Sequence, residues 1–152
     1  MTLIVALEAG PLSLITHRKD NAAAEACRAW LASRIAAGSQ IVVPAIADYE
    51  VRRELIRAGK TAGISRLDEF LRAAPDRYLP PTSATFQKAA ELWAQVRNEG
   101  MPTAGNEALD ADVLFAAQLL TSKFAPETLV VATTNPKHIG LFLNAREWRS
   151  IR

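Results

Sequence analysis

The stretch Leu109–Asn135, LDADVLFAAQLLTSKFAPETLVVATTN, limits what this chain can fold into more than any other. Val113, Leu114, Phe115, Ala116, Ala117, Leu119 and Leu120 leave little polar face, so a helix here must be covered on most sides. Leu129-Val130-Val131-Ala132 is a continuous apolar run of the kind found inside parallel sheets. Within the helix, acids stand only where it begins. Asp110 reads as a cap or as favouring the positive helix end. Asp112 shares a face with Leu109, Phe115, Ala116 and Leu119, which takes it into the apolar side within the first turn. A carboxylate there needs a cation, a donor cluster or a proton. At about 100° per residue the two acids point roughly 200° apart. Asp112 is therefore the functional candidate, and Asp110 a cap or secondary residue.

Leu3–Leu7 reads as a short buried strand, ended by Glu8 and Ala9, with Gly10-Pro11 as a tight turn into a short helix, Leu12–Thr16. Asp20 or Asn21 caps a helix over Ala22–Ala37, which Gly38 stops. Ile41-Val42-Val43 is a second buried strand, closed by Pro44, with a helix from Ile46 to Ala58 after it. Ile64, Leu67, Phe70 and Leu71 give helical spacing for another. Arg77-Tyr78-Leu79 is a weak third strand. Thr82 or Ser83 caps a long helix expected to turn Phe86, Ala89, Ala90, Trp93 and Val96 inward, and Gly100 ends it. Met101–Glu107 reads as a polar loop, and Leu141-Phe142-Leu143 precedes a tail with Trp148 and Ile151. Strands alternate with helices, with no repeat, linker or break in composition. The expectation is a single α/β domain over residues 1–152, with a mostly parallel sheet flanked by helices.

In such sheets ligands gather at the carboxyl ends of the strands, so the polar residues falling there matter most. Glu8 immediately follows the first strand. Glu50 lies about one turn into the helix after the second. Asp112 opens a helix running back toward the strand Leu129–Ala132, and Thr133, Thr134 and Asn135 directly follow that strand. Each acid alone has a structural explanation: Glu8 could cap the short helix, and Glu50 could pair with Arg53 or Arg57. Together at one sheet edge, three carboxylates raise one another's pKa unless a cation sits between them. Oxygen ligands suit a hard divalent ion such as Mg²⁺ or Mn²⁺ rather than zinc.

These residues, in this order, resemble the PIN-domain family of metal-dependent ribonucleases, across nearly the whole chain. LIVALEAGPLSLI matches the apolar strand, acid and small helix, with Glu8 at the acid. VVPAIADYEVRREL supplies the glutamate early in the next helix, Glu50. LDADVLFAAQ supplies the acid opening an alanine-rich helix, Asp112 with Asp110 nearby. VVATTNPKHIGLF supplies the threonine-containing turn, with Asn135. Two positions depart from the pattern: the first acid is usually aspartate, and the fourth position is often aspartate where this chain has an uncharged asparagine.

The resemblance implies hydrolysis of RNA phosphodiesters by an activated water with Mg²⁺ or Mn²⁺, Glu50 and Asp112 being the principal ligands or water-activating groups and Glu8 a third ligand. Asn135 would be an outer-sphere or substrate-orienting group, and Thr133 or Thr134 would donate hydrogen bonds. It also implies toxins of VapC type, held by a small antitoxin and often homodimeric. The competing reading is a PIN-like module that binds RNA or protein without cleaving, and metal-dependent cleavage separates the two. A flavodoxin-like nucleotide binder lacks support, because no glycine-rich phosphate loop follows any strand.

Charge is too balanced to announce nucleic-acid binding: 18 basic against 16 acidic side chains, net +2. Arg52, Arg53, Arg57, Lys60 and Arg66 cluster, but Asp48, Glu54, Asp68 and Glu69 are interspersed, so they read as a solvated face. His138 follows the Thr-Thr-Asn turn closely enough to touch an acid or substrate, or to serve structure alone. Trp30, Trp93 and Trp148 read as core or interface aromatics. The lone cysteine, Cys27, sits in a helical pattern with Trp30, Leu31 and Ile35 and reads as core. No run reaches membrane-spanning length, and Leu3–Leu7 is too short for a signal peptide, so the expected compartment is the cytoplasm.

Overall fold

The computed structural model describes residues 2–18, 20–100 and 105–152. Among the described residues five parallel strands lie in the order β3-β2-β1-β4-β5: β1 Ile4–Leu7, β2 Gln40–Pro44, β3 Tyr78–Leu79, β4 Leu129–Thr133 and β5 Ala145–Glu147. The central pairings set Val5 beside Ile41 on one side and Val130 on the other, so β1 is covered along both edges. All four residues of β1 are buried, as are all five of β4. Their unbroken apolar sequence follows from that position, since helices cover both faces.

The helices are α1 Ala9–Thr16, α2 Ala22–Ala36, α3 Ala45–Arg57, α4 Thr61–Arg72, α5 Ser83–Glu99, α6 Asn106–Leu120 and the single turn α7 Pro136–Ile139. Asn21 caps α2 by accepting from the Ala24 N–H at 2.9 Å, and Thr82 opens α5 with a reciprocal capping box to Thr85. The main core joins the strands to α1–α4, the buried side of α6, and the tail, where Trp148 packs on Trp30 with ring centroids 5.6 Å apart. The Trp30 indole donates to the Ile151 carbonyl at 2.9 Å. Cys27 is fully buried and its thiol is pushed up to about 12, chiefly by burial, which removes it as a nucleophile. Among the described residues no helix is long and apolar enough to cross a membrane.

Several elements differ from the sequence reading. Gly10 and Pro11 lie inside the first turn of α1, where Pro lacks only an N–H that would have no helical partner. A Cβ at Gly10 would stand 2.6 Å from Thr134 Oγ1, so glycine serves close packing rather than a turn. The loop expected over Met101–Glu107 falls partly outside the described residues, and α6 already begins at Asn106 behind Gly105. Asp110 is therefore an exposed residue within α6 rather than its cap, and Asp112 sits in the second turn rather than the first. On α5 the inward stripe is Thr85, Ala89, Leu92 and Val96, which meets Leu109, Val113, Ala116 and Ala117 of α6. Phe86 (58% exposed), Ala90 and Trp93 (40%) fall on the neighbouring outer stripe. Leu141–Leu143 form a turn, and the fifth strand is Ala145–Glu147, short and only partly buried, which hides its period.

Candidate active site

Strand order reverses direction beside β1, with β2 on one side and β4 on the other, and the crevice at the carboxyl ends of those strands is where polar groups converge. Glu8 stands at the end of β1, and its N–H donates to the Ala132 carbonyl at 3.0 Å, fastening it to the end of β4. Glu8 occupies the position before α1, yet its side chain caps nothing. Instead Thr133, fully buried, donates from Oγ1 to Glu8 Oε1 at 2.9 Å. The other oxygen, Oε2, is buried with no hydrogen-bond partner among the described residues. A buried carboxylate oxygen left this way calls for a proton or a cation.

Glu50 comes from the second turn of α3, which follows β2 without a loop. It makes no salt bridge among the described residues; Arg57 pairs with Glu54 instead, at 2.9 Å. Asp112 reaches the same region from α6, and its surroundings on that helix are the buried Leu109, Phe115, Ala116 and Leu119. All three carboxyls are pushed upward. Glu8 rises from 4.5 to about 7, first through burial, against the Thr133 hydrogen bond, with the charges of Asp112 and Glu50 adding to it. Burial also raises Glu50, opposed by Arg53 and assisted by Asp112. Asp112 rises through burial, opposed by His138, whose Nδ1 is itself buried without a partner. The fold thus brings Glu8, Glu50 and Asp112 into one electrostatic neighbourhood, with His138 beside Asp112.

Among the described residues no three His, Cys, Asp or Glu side chains already stand at metal-holding spacing. The acids act on one another through space. The donor chemistry nonetheless fits a hard divalent cation: three carboxylates, one with an unpartnered buried oxygen, and no soft ligand.

The other predicted residues divide. Thr133 both donates to Glu8 and accepts from the Asn135 N–H at 3.0 Å. Thr134 is exposed and packs its side chain on Gly10. The exposed Asn135 caps α7, accepting from the Lys137 N–H at 3.3 Å, so its carbonyl oxygen faces its own chain. Asp110 points away from Asp112, as the helical spacing requires once both lie inside α6.

One residue was not singled out from the sequence. Gln118 is buried in α6, where Oε1 accepts from the Ile46 N–H at 2.9 Å and Nε2 donates to the Leu79 carbonyl at 2.8 Å. It satisfies the start of α3, the helix that carries Glu50, and ties it to β3. A lone glutamine inside LFAAQLL was the available signal. Of the basic cluster, Arg52 is locked between Asp48 (3.0 Å) and Asp68 (2.7 Å), and Arg66 donates to the Thr16 carbonyl at 2.8 Å.

Residues 12–137 match the model of the PIN domain family, a span that starts four residues after Glu8. No curated protein matches the chain. Solved structures share its fold. FitAcB from Neisseria gonorrhoeae aligns with a TM-score of 0.67 at 20% identity, over 97% of this chain and 99% of that one. VapBC2 from Rickettsia felis, solved bound to a DNA fragment from their promoter, gives 0.64 at 19% identity over 95% and 98%. VapBC-1 from nontypeable Haemophilus influenzae gives 0.64 at 16% identity over 97% and 100%.

Proposed function

The chain belongs to the PIN domain family, and from that premise we propose that it is a metal-dependent endoribonuclease, the toxin of a toxin–antitoxin pair. The observation that carries this reading is Glu8 Oε2, a buried carboxylate oxygen without a partner, in the field of Asp112 and Glu50. Glu8, Glu50 and Asp112 would hold Mg²⁺ or Mn²⁺, which supplies Lewis-acid polarisation of a phosphoryl oxygen and a more acidic bound water.

The rest of the chemistry belongs to the chain. Thr133 fixes Glu8 through Oε1 and leaves Oε2 for the cation. Burial pushes the Glu8 carboxyl up to about 7, so a cation held there would displace its proton. Asp112 and Glu50, also raised by burial, are the groups able to take a proton from an attacking water. His138 holds Asp112 toward its charged form. Asn135 acts as a positioning residue, keeping the β4–α7 turn that presents Thr133. A small antitoxin, a homodimeric assembly and a cytoplasmic location belong to the same reading through the family.

A second reading, a PIN-like module that binds RNA or protein without cutting, is favoured by one observation: the three acids are not drawn together into a metal cluster. Cleavage of single-stranded RNA separates the two. The nuclease reading expects cleavage with Mn²⁺ or Mg²⁺, none in excess chelator, and loss in Asp112→Asn with thermal unfolding unchanged or improved. Cleavage surviving chelation, or no cleavage with any divalent ion, would reject it.

A further inference from the structure

Two grooves flank the acid edge, and they share two lining residues, Glu50 and Arg53. One, of about 420 Å³, lies between α1, α3 and the start of α4, and its end at Ala9 and Gly10 abuts Glu8. Among the described residues its walls carry Arg18, Arg53, Arg57, Lys60 and Arg66 against Glu50 and Glu54. That is an excess of three positive charges in one groove, whereas the entire chain has an excess of two. The other groove, of about 500 Å³, runs between α3 and α6 and is walled by Ile46, Tyr49, Ala108, Ala111 and Leu114, with Asp110 at its edge. Tyr49 is 54% exposed there, with the Arg53 guanidinium 5.0 Å from its ring centre.

We propose that a single-stranded nucleic acid crosses the Glu50–Arg53 ridge, its phosphates held in the α1–α3–α4 groove and a base stacked on Tyr49 in the α3–α6 groove. The assignment rests on the nuclease reading of the same acids and adds which side of the cut takes which part of the strand. A cationic groove tracks a phosphate backbone regardless of sequence, and an exposed aromatic beside it offers a face to any base. Arg53 stands at the junction, where it serves both. A duplex presents no unstacked base for Tyr49, so the pairing of these two grooves selects a single strand. An acidic protein segment is the rival occupant of the cationic groove, but it has no use for the aromatic wall across the ridge.

The test measures binding without cleavage. Every protein carries Asp112→Asn and is kept in chelator, and a labelled oligouridylate is titrated at several salt concentrations. Each lost phosphate contact on a single strand reduces the slope of log affinity against log salt by about 0.7. Arg57→Gln with Lys60→Gln should therefore flatten the slope by about 1.4. Tyr49→Ala should weaken binding roughly tenfold at every salt concentration and leave the slope alone. Lys88→Gln, on the exposed side of α5, should change neither. Matched thermal unfolding confirms that the substituted surfaces fold.

An unchanged slope in the double variant would overturn the phosphate track. A Tyr49→Ala variant that binds as the parent does would overturn the base position. Polyglutamate that binds the parent, loses its salt dependence in the double variant and leaves oligouridylate binding untouched would make the groove a protein dock and end the proposal. Groove-dependent binding by a protein that never cuts RNA would leave this inference standing and reject the nuclease reading, so the two failures are distinguishable.

Discussion

Asp48 and Glu50 stand two residues apart on α3 and keep different company. Asp48 is answered by Arg52 one turn on, and Arg52 also reaches Asp68 on α4 at 2.7 Å. That three-member cluster stitches α3 to α4, and the guanidinium is held further into its charged form, first by the hydrogen bond to Asp48. Glu50 forms no ion pair among the described residues, and only Arg53 on its own helix opposes the effect of burial. Glu50 faces Asp112 and Glu8, and burial raises all three. The difference lies in what the neighbouring element supplies. Where α4 brings charges that close a network, carboxylates are structural; where β1 and α6 bring only more carboxylates, the fold keeps an unneutralised site.

The largest expected effect probes the unneutralised side. Glu8 has a folded-state pKa of about 7 against an ordinary 4.5, so the folded protein binds its proton more tightly than the unfolded chain does. The stability this gives is fully present below pH 4.5 and is lost as pH rises through 7. The cost at pH 8 is about 3 kcal/mol at most, reduced by whatever solvent reaches the group. Glu8→Gln should therefore be more stable than the parent at pH 8, equal to it near pH 4, and without this pH slope between. Mn²⁺ should raise the unfolding temperature of the parent at pH 8 and not of the variant. Identical pH slopes in the two proteins would mean that Glu8 is not a buried acid with a raised pKa.

A middle-sized effect sharpens how Glu8 is held. Thr133→Val keeps the shape but removes a donor to Glu8 and an acceptor for the Asn135 N–H. A loss of about 2 kcal/mol is expected from those buried bonds. Because the Thr133 hydrogen bond pulls Glu8 downward, its removal should also extend the decline in stability to higher pH, while its onset near 4.5 stays in place. A downward movement in pH-dependent urea unfolding would contradict that sign.

The smallest effect breaks the neutralised cluster. Arg52→Ala leaves Asp48 and Asp68 without their partner, but all three side chains retain some exposure, so water screens the loss. A destabilisation of about 1 kcal/mol is expected, with RNA cleavage unchanged, since Arg52 lines neither groove. Cleavage falling together with stability in this variant would mean that the two clusters on α3 are coupled.

Asp112 and Gln118, two polar residues on one helix, separate what sequence determined from what tertiary structure decided. Leu109–Asn135 alone dictated a largely covered helix leading to a buried parallel strand, because its apolar residues leave little polar face and each period has one partner geometry. The alternation of such units dictated an α/β sheet, and a sheet of that kind has one edge where Glu8, Glu50 and Asp112 could meet. Helical spacing even separated Asp110 from Asp112. Local pattern was silent on rotation and partnership. The outer stripe of α5 with Phe86 and Trp93 differs from the inner one by about one helical step of 100°, and only packing on α6 selects between them. Gln118 reads as an interruption until α3 and β3 present an N–H and a carbonyl to it. Glu8 could have capped its own helix, and it turns to Thr133 because β4 pairs with β1 across 125 residues of sequence. Burial of a charge and the partner that answers it are properties of neighbours in space, and a chain specifies those neighbours only once its strands have chosen their order.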